Sequence, residues 1–375
     1  MKEHNIILRA EQSRAEQSRA AEQSRAEQSR AEQSRAEQSR AEQSRAEQSR
    51  ARWIDIIKGL LIYFVVLGHI IGGLPSSSVN IYGITHYIIY SIHMPMFMLI
   101  SGYLGKRQPL IRKIVRNYFI PYIVFDYVYV IYAVLRGGTP IKNLNILTPT
   151  YVYWYILCLG IIKIMSSSRI KKEIFVVIGV IITLLAPALK KETWLFLSLG
   201  RVALLWMVYY VGMRLSDSFL MKVRKHKWCG VVLLLVCVLV EIFLLSIGMV
   251  TITWATHDFP NTVKDSLLKY VYMIITIVSF FSIAAIVPEN NKRLERWGRN
   301  SLIVYLLHPF LVDVIKTIIE KSTMRWNTLL YVILLVVTAI VTDFLSADPL
   351  KELYYKFIGN IYKLVKLDDK KEILK

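Results

Sequence analysis

Residues 52–71 read RWIDIIKGLLIYFVVLGHII, and how this stretch is read decides the fold. No side chain between Gly59 and Gly68 is charged, and the whole run has the length of about 20 residues that one helix needs to cross a bilayer core. Yet an ionisable side chain stands at each end of the apolar part, Lys58 and His69. At about 100° per residue the eleven steps between them make three turns and about 20°, so the two share one helix face, ~16 Å apart along the axis. Asp55, three residues before Lys58, falls on the same side. Two readings follow. In one, the lysine snorkels to the interface and the histidine links two helices by a hydrogen bond. In the other, the face serves a long anionic ligand: Lys58 meets its phosphates, and His69 acts at its reactive end as a general base. Ionisable groups at membrane depth favour a functional reading.

The rest of the 375-residue chain continues the pattern. It is 54% hydrophobic, and the first 50 residues contribute few large apolar side chains. Apolar segments occupy 53–71, 83–104, 114–135, 150–165, 173–189, 197–214, 228–250, 267–287, 300–320 and 326–345; the fourth and fifth are short for a span. The expected fold class is all-α, a polytopic membrane bundle of about ten transmembrane helices. The net charge of +20 lies in short clusters between apolar runs, which argues for a membrane protein and against nucleic-acid binding. Loops on one side carry Lys106, Arg107, Arg112, Lys113 and Arg116, then Arg169, Lys171 and Lys172, then Arg214, Lys222, Arg224, Lys225 and Lys227, then Lys292, Arg293, Arg296 and Arg299. Loops on the other side carry three or fewer each. Both termini are therefore expected in the cytoplasm, with the basic tail 346–375 on the inner membrane face. Cys158, Cys229 and Cys237 lie in apolar runs with no metal-ligand spacing and read as small buried hydrophobes.

The N-terminal segment 1–51 is of another kind. From Ala10 to Arg50 the unit AEQSR occurs eight times with one extra alanine. A five-residue period advances a helix by about 140° per unit, so no consistent face forms, and a frayed helix or disorder is expected. The DNA pentamer GCAGA, repeated, encodes this peptide in all three frames without a stop. Gain or loss of one pentamer would leave the repeat readable and shift the membrane region out of frame, which suits a slippage switch in a bacterial gene. Mixed synonymous codons in the gene would contradict this hypothesis.

Polar residues recur inside the spans. HYIIYSIHMPMFMLISGYL carries His86 and His93 on one face, Pro95 with the carbonyl it frees, and Ser101 near its end. GRNSLIVYLLHPFL carries Asn300 and Ser301 as candidate helix caps, with Tyr305 and His308 on one side ahead of Pro309. Trp154 and Tyr155 fall in the fourth segment; belt aromatics and ligand contacts both fit them. Glu241 and Asp343 lie near membrane depth, where cationic partners would suit them. The chain has no phosphate-binding glycine loop, no GxSxG and no HExxH, so any chemistry comes from scattered membrane residues.

RWIDIIKGLLIYFVVLGH, HMPMFMLISGYL, the WYI of the fourth segment and GRNSLIVYLLHPF, in this order, resemble the acyltransferase-3 family of bacterial integral membrane proteins, with the flavour of fucose 4-O-acetylase-like enzymes. The resemblance covers 52–345. It implies transfer of an acetyl group from cytoplasmic acetyl-CoA to a sugar hydroxyl of a surface glycan, such as a capsule or lipopolysaccharide, or of its lipid-linked precursor. It implies a multi-pass protein of the bacterial inner membrane, acetyl-CoA as donor substrate and no bound cofactor or metal. The family pattern of a basic residue, ten residues, then histidine falls on Lys58 and His69. It marks His69 as catalytic, and Lys58 with Arg107 as donor contacts. Many members have arginine where Lys58 stands, so a bidentate fork is absent here. Asp55, His93, Ser101, Trp154 and His308 complete the candidate substrate site, with Asn300, Ser301 and Tyr305 as donors to steady the acyl oxygen. Direct transfer and a covalent acyl-histidine relay both fit. The rival class is a multi-pass transporter or glycan flippase, whose mark would be an internal repeat with paired broken helices.

Overall fold

Several helices begin where the sequence supplies a cap. Asn80, Asn291 and Asn327 each accept a hydrogen bond at their side-chain oxygen from the backbone N–H three residues on, and Thr262 with Asp265 forms a reciprocal capping box. Each cap is worth about 1 kcal/mol. The computed structural model describes residues 52–72, 80–106, 110–137, 147–256, 259–322 and 327–365, and these carry no strand. The chain divides into Met1–Arg52 and Trp53–Lys375, of which the helical bundle is the second. The expectations for the AEQSR tract, Arg107 and the last ten residues fall outside the described residues.

In chain order the bundle consists of α1 (Arg52–Ile71), α2 (Ile81–Leu104), α3 (Ile111–Leu135), α4 (Trp154–Ser167), α5 (Lys172–Leu185), α6 (Leu199–Arg214), α7 (Asp217–Arg224), α8 (Lys227–Ser246), α9 (Val263–Ile286), α10 (Lys292–Arg299), α11 (Ser301–Lys321), α12 (Thr328–Leu345) and α13 (Asp348–Leu364). Among the described residues eight helices are long and apolar enough to cross a membrane: α1, α2, α3, α6 with its short lead-in from Lys191, α8, α9, α11 and α12. The two sequence segments that looked short remain short, as the 14-residue helices α4 and α5. The expected ten spans are therefore eight full-length candidates and two shorter helices. The protein is an all-α polytopic membrane bundle. Its outward faces agree: Val232, Leu235, Leu239 and Phe243 of α8, and Val332, Val336 and Ile340 of α12, are exposed, as lipid contact requires.

Proline and glycine set the geometry around the site. Pro121 in α3 cannot donate to a carbonyl one turn back, and the helix before it widens to a π-turn over Val115–Phe119. Two crossings depend on glycine. A Cβ on Gly102 would lie 2.1 Å from the Tyr209 carbonyl oxygen, which lets α2 and α6 meet backbone to backbone. A Cβ on Gly298 would lie 1.7 Å from the Asp55 carbonyl oxygen, so α10 lies directly on α1 beside Lys58. Asp343 of α12 holds α10 in place, accepting from Arg296 at 2.6 Å, from the Trp297 indole at 2.7 Å and from Nε and Nη2 of Arg293. This is the cationic company that its depth suggested.

Basic segments gather at the Lys58 end of α1. Besides α10, the Arg224 guanidinium covers the Trp53 ring at 5.1 Å, and Tyr362 of α13 donates to the Arg116 carbonyl at 2.8 Å. Helix α13 turns Tyr354, Ile358 and Tyr362 into the protein and leaves Leu353, Tyr355 and Phe357 outside. Two expectations change. Cys229 is exposed at the start of α8, while Cys158 and Cys237 are buried; all three thiols are free. Glu241, buried on α8, takes the Ser91 hydroxyl at 2.8 Å rather than a cation.

Candidate active site

Pro95 in α2 and Pro309 in α11 each leave one carbonyl without its helical N–H. Pro95 leaves the Ser91 carbonyl without its helical N–H; the Thr276 hydroxyl lies 3.5 Å away, with the Tyr272 carbonyl nearer to it at 2.9 Å. Pro309 leaves the Tyr305 carbonyl, and His308 donates Nδ1–H to it at 2.8 Å. A carbonyl only accepts, so this bond puts the hydrogen of neutral His308 on Nδ1 and the lone pair on Nε2. His308 is fully buried and its Nε2 has no hydrogen-bond partner. His93 is held in the same way, Nδ1–H to the Ile89 carbonyl at 2.5 Å. Both α2 and α11 run through their prolines without a break.

His69 stands where α1, α2, α11 and the segment before α4 converge. Its Nδ1 lies 2.9 Å from the Tyr90 hydroxyl and 3.0 Å from the Tyr151 hydroxyl. Its ring is 5.2 Å from that of His308. Tyr90 sits between the two other histidines of its helix, with its ring 4.1 Å from His86 and 5.0 Å from His93. Where a phenol donates to Nδ1, that atom is the acceptor and Nε2 carries the N–H of the neutral ring. A phenol is neutral at physiological pH, so the Tyr151 hydroxyl has a proton to donate. Among the described residues no group of three or more His, Cys, Asp or Glu side chains is placed to hold a metal ion.

Two cavities adjoin α1. One, of about 270 Å³, opens at His69 and is lined also by Tyr90, His93, Tyr151, Trp154 and Lys269. The other, of about 250 Å³, opens at Lys58 and is lined also by Phe97, Ser101, Tyr118, Tyr155 and Ser301. Met94 and Tyr305 line both. They form a septum between the chamber at Lys58 and the chamber at His69. Lys58 is paired with Asp55 at 2.8 Å and keeps about a fifth of its side chain accessible.

The sequence candidates thus separate by place. His69, His93, Trp154 and Tyr305 border the first cavity; Lys58, Ser101, Ser301 and Tyr305 border the second. His308 stands behind His69. Asp55 holds Lys58. Asn300 lies at the α11 start without capping it; its amide donates to the Ser346 carbonyl at 2.7 Å and is buried. The Tyr305 hydroxyl is likewise engaged, with the Val152 carbonyl. Sequence reasoning missed Tyr90 and Tyr151. The first was legible, since it lies four residues after His86 and three before His93 on one helix face. The second lies in a loop 82 positions from His69, and no local signal marks it.

The arrangement thus sets a cavity at Lys58 beside a cavity at His69, with Met94 and Tyr305 between them. Residues 51–346 match the family model described as an acyltransferase domain. The nodulation protein NolL of Sinorhizobium fredii (strain NBRC 101917 / NGR234) is 43% identical over 54 residues, 14% of this chain and 15% of that protein. No solved structure matches. The family match spans all the helices from α1 through α12, and the chain belongs to the acyltransferase-3 family.

Proposed function

We propose that the protein transfers an acetyl group from acetyl-CoA to a sugar hydroxyl of a bacterial surface glycan or its lipid-linked precursor, in the inner membrane. The observation that carries this reading is the pair of cavities on one helix face, Lys58 in one and His69 in the other, sharing Met94 and Tyr305. The end with Lys58 gathers the basic segments, and the positive-inside bias supports a cytoplasmic side for it and for both termini. Acetyl-CoA docks there with its phosphates near Lys58, and Arg107 belongs by sequence to the same basic rim. The slender thioester arm passes Met94 and Tyr305. The acceptor hydroxyl gives its proton to His69 Nδ1 as its oxygen attacks the thioester carbonyl. The carbon–sulfur bond breaks, the thiolate takes the proton from the imidazolium, and an acetyl ester and free CoA result. Trp154 and the aromatic wall around it offer flat faces to the sugar.

Purified protein in proteoliposomes, given radiolabelled acetyl-CoA inside and a lipid-linked glycan in the membrane, tests this. Labelled ester that requires both substrates supports it. Transport of glycan without ester formation would replace it with the flippase reading. A burst of labelled protein before product would show the acyl-histidine relay in place of direct transfer.

A further inference from the structure

The two phenols on His69 are not equivalent. An imidazole Nδ1 that accepts has one in-plane lone pair, so Tyr90 at 2.9 Å and Tyr151 at 3.0 Å compete for one acceptor. Tyr90 belongs to the interior of α2 and is packed between His86 and His93. Tyr151 belongs to an irregular segment, and its backbone has φ of 50°, a left-handed conformation in which a bulky aromatic is an outlier. The residues around it are pinned. The Thr150 N–H donates to Asp126 at 2.7 Å, the Val152 carbonyl holds the Tyr305 hydroxyl, and Tyr153 donates to the Leu306 carbonyl at 3.0 Å. Between these pins Tyr151 alone reaches over His69, edge-on to the imidazole at 5.1 Å and stacked on Tyr129 at 5.6 Å. It is also the more accessible of the two phenols.

A phenol O–H on Nδ1 makes the same hydrogen bond that an acceptor sugar hydroxyl must make before it is deprotonated. We propose that Tyr151 is an acceptor-side plug: its hydroxyl holds the place of the acceptor hydroxyl on His69, keeps water off the base, and gives way to the incoming sugar. The lone pair passes from the Tyr151 hydroxyl to the sugar hydroxyl, while the Tyr90 ring stays against the imidazole at 5.6 Å and orients it by contact. The inference rests on the acyl-transfer reading for its consequence, selection of sugar hydroxyl over water, but the plug itself is a matter of geometry. Exchange of one O–H···N bond for another leaves the hydrogen-bond count unchanged, so the sugar loses little in displacing the phenol, whereas a lone water lacks the binding contacts needed to displace it.

The test uses full-length protein in proteoliposomes with Tyr151→Phe and Tyr90→Ala beside wild type. Reactivity of His69 toward diethyl pyrocarbonate, read by mass spectrometry, needs no catalysis. It should rise about tenfold in Tyr151→Phe, the scale of one net hydrogen bond. In the same variant acetyl-CoA hydrolysis without acceptor should rise, and the acceptor KM should fall. Tyr90→Ala, which removes the ring, should lower hydrolysis and transfer together. Unchanged His69 reactivity in Tyr151→Phe, or parallel loss of hydrolysis and transfer, would overturn the plug. If His69 reactivity rises as described but wild type forms no ester from acetyl-CoA, the plug stands and the acyl-transfer reading fails.

Discussion

The Tyr305 hydroxyl donates to the Val152 carbonyl, and the ring fixed by this bond lines both cavities. One loop residue therefore holds the septum, while its neighbour Tyr151 covers the base. Removal of the ring joins the chambers. Tyr305→Ala should uncouple the reaction: ester formation falls and acetyl-CoA hydrolysis rises, each on the order of tenfold, because water enters and the thioester loses its alignment. Parallel assays of free CoA and glycan ester check this; equal change in both would mean that Tyr305 guards no passage.

Lys58 should act in donor binding. A charge-assisted bond to phosphate is worth about 1.5–3 kcal/mol, so Lys58→Ala should raise the acetyl-CoA KM about 10- to 100-fold with a smaller change in kcat. Lys58→Arg keeps the charge and should restore most of the affinity. Steady-state kinetics with varied acetyl-CoA decides; an unchanged KM would place the phosphates elsewhere.

Pro309 leaves the Tyr305 carbonyl open to the Nδ1–H of His308, at 2.8 Å, with the Val304 carbonyl at 3.2 Å as its second acceptor. Pro309→Ala returns a backbone N–H that competes for that carbonyl. The helix should gain stability or stay as it was, because proline disfavours a helix interior by about 3 kcal/mol. Yet kcat should fall about tenfold, as the buried histidine loses its fixed orientation beside His69. Thermal unfolding and kcat measured on one preparation separate the two effects, and a variant with lower stability and full kcat would refute the assignment.

Asp343 gathers Arg293, Arg296 and Trp297, and through them seats α10 on α1 next to Asp55 and Gly59. Asp343→Asn leaves two guanidinium groups without their anion. With partial exposure the cost should be about 1–2 kcal/mol, a Tm lower by a few degrees in detergent. Because α10 abuts the helix that carries Lys58, the acetyl-CoA KM should rise as well. A drop in Tm with an unchanged KM would confine the clamp to stability.

The sequence made some of this legible and hid the rest for physical reasons. The Lys58–His69 face follows from helical periodicity alone, and the Asp55 pair at 2.8 Å was readable from a spacing of three. Tyr90 was within reach of the same argument. What no pattern carries is contact between distant segments: Tyr151 on His69, Asn300 on Ser346, Arg296 on Asp343. Asn300 reads as a cap because asparagine suits caps, but its amide is spent on a carbonyl of the α12 end. The short helices α4 and α5 were ambiguous because 14 residues fall below the length of a free-standing span. Cys229 reads as buried only if every apolar run faces protein, whereas α8 turns most of its surface outward.

The most direct test of the central claim compares the surface glycan of cells making wild-type protein, His69→Ala or neither, at matched membrane levels, by NMR and mass spectrometry of ester groups. The account predicts acetyl esters with wild type and a loss of at least about a hundredfold in His69→Ala, the scale of a missing general base. Equal esterification by wild type and His69→Ala would contradict it.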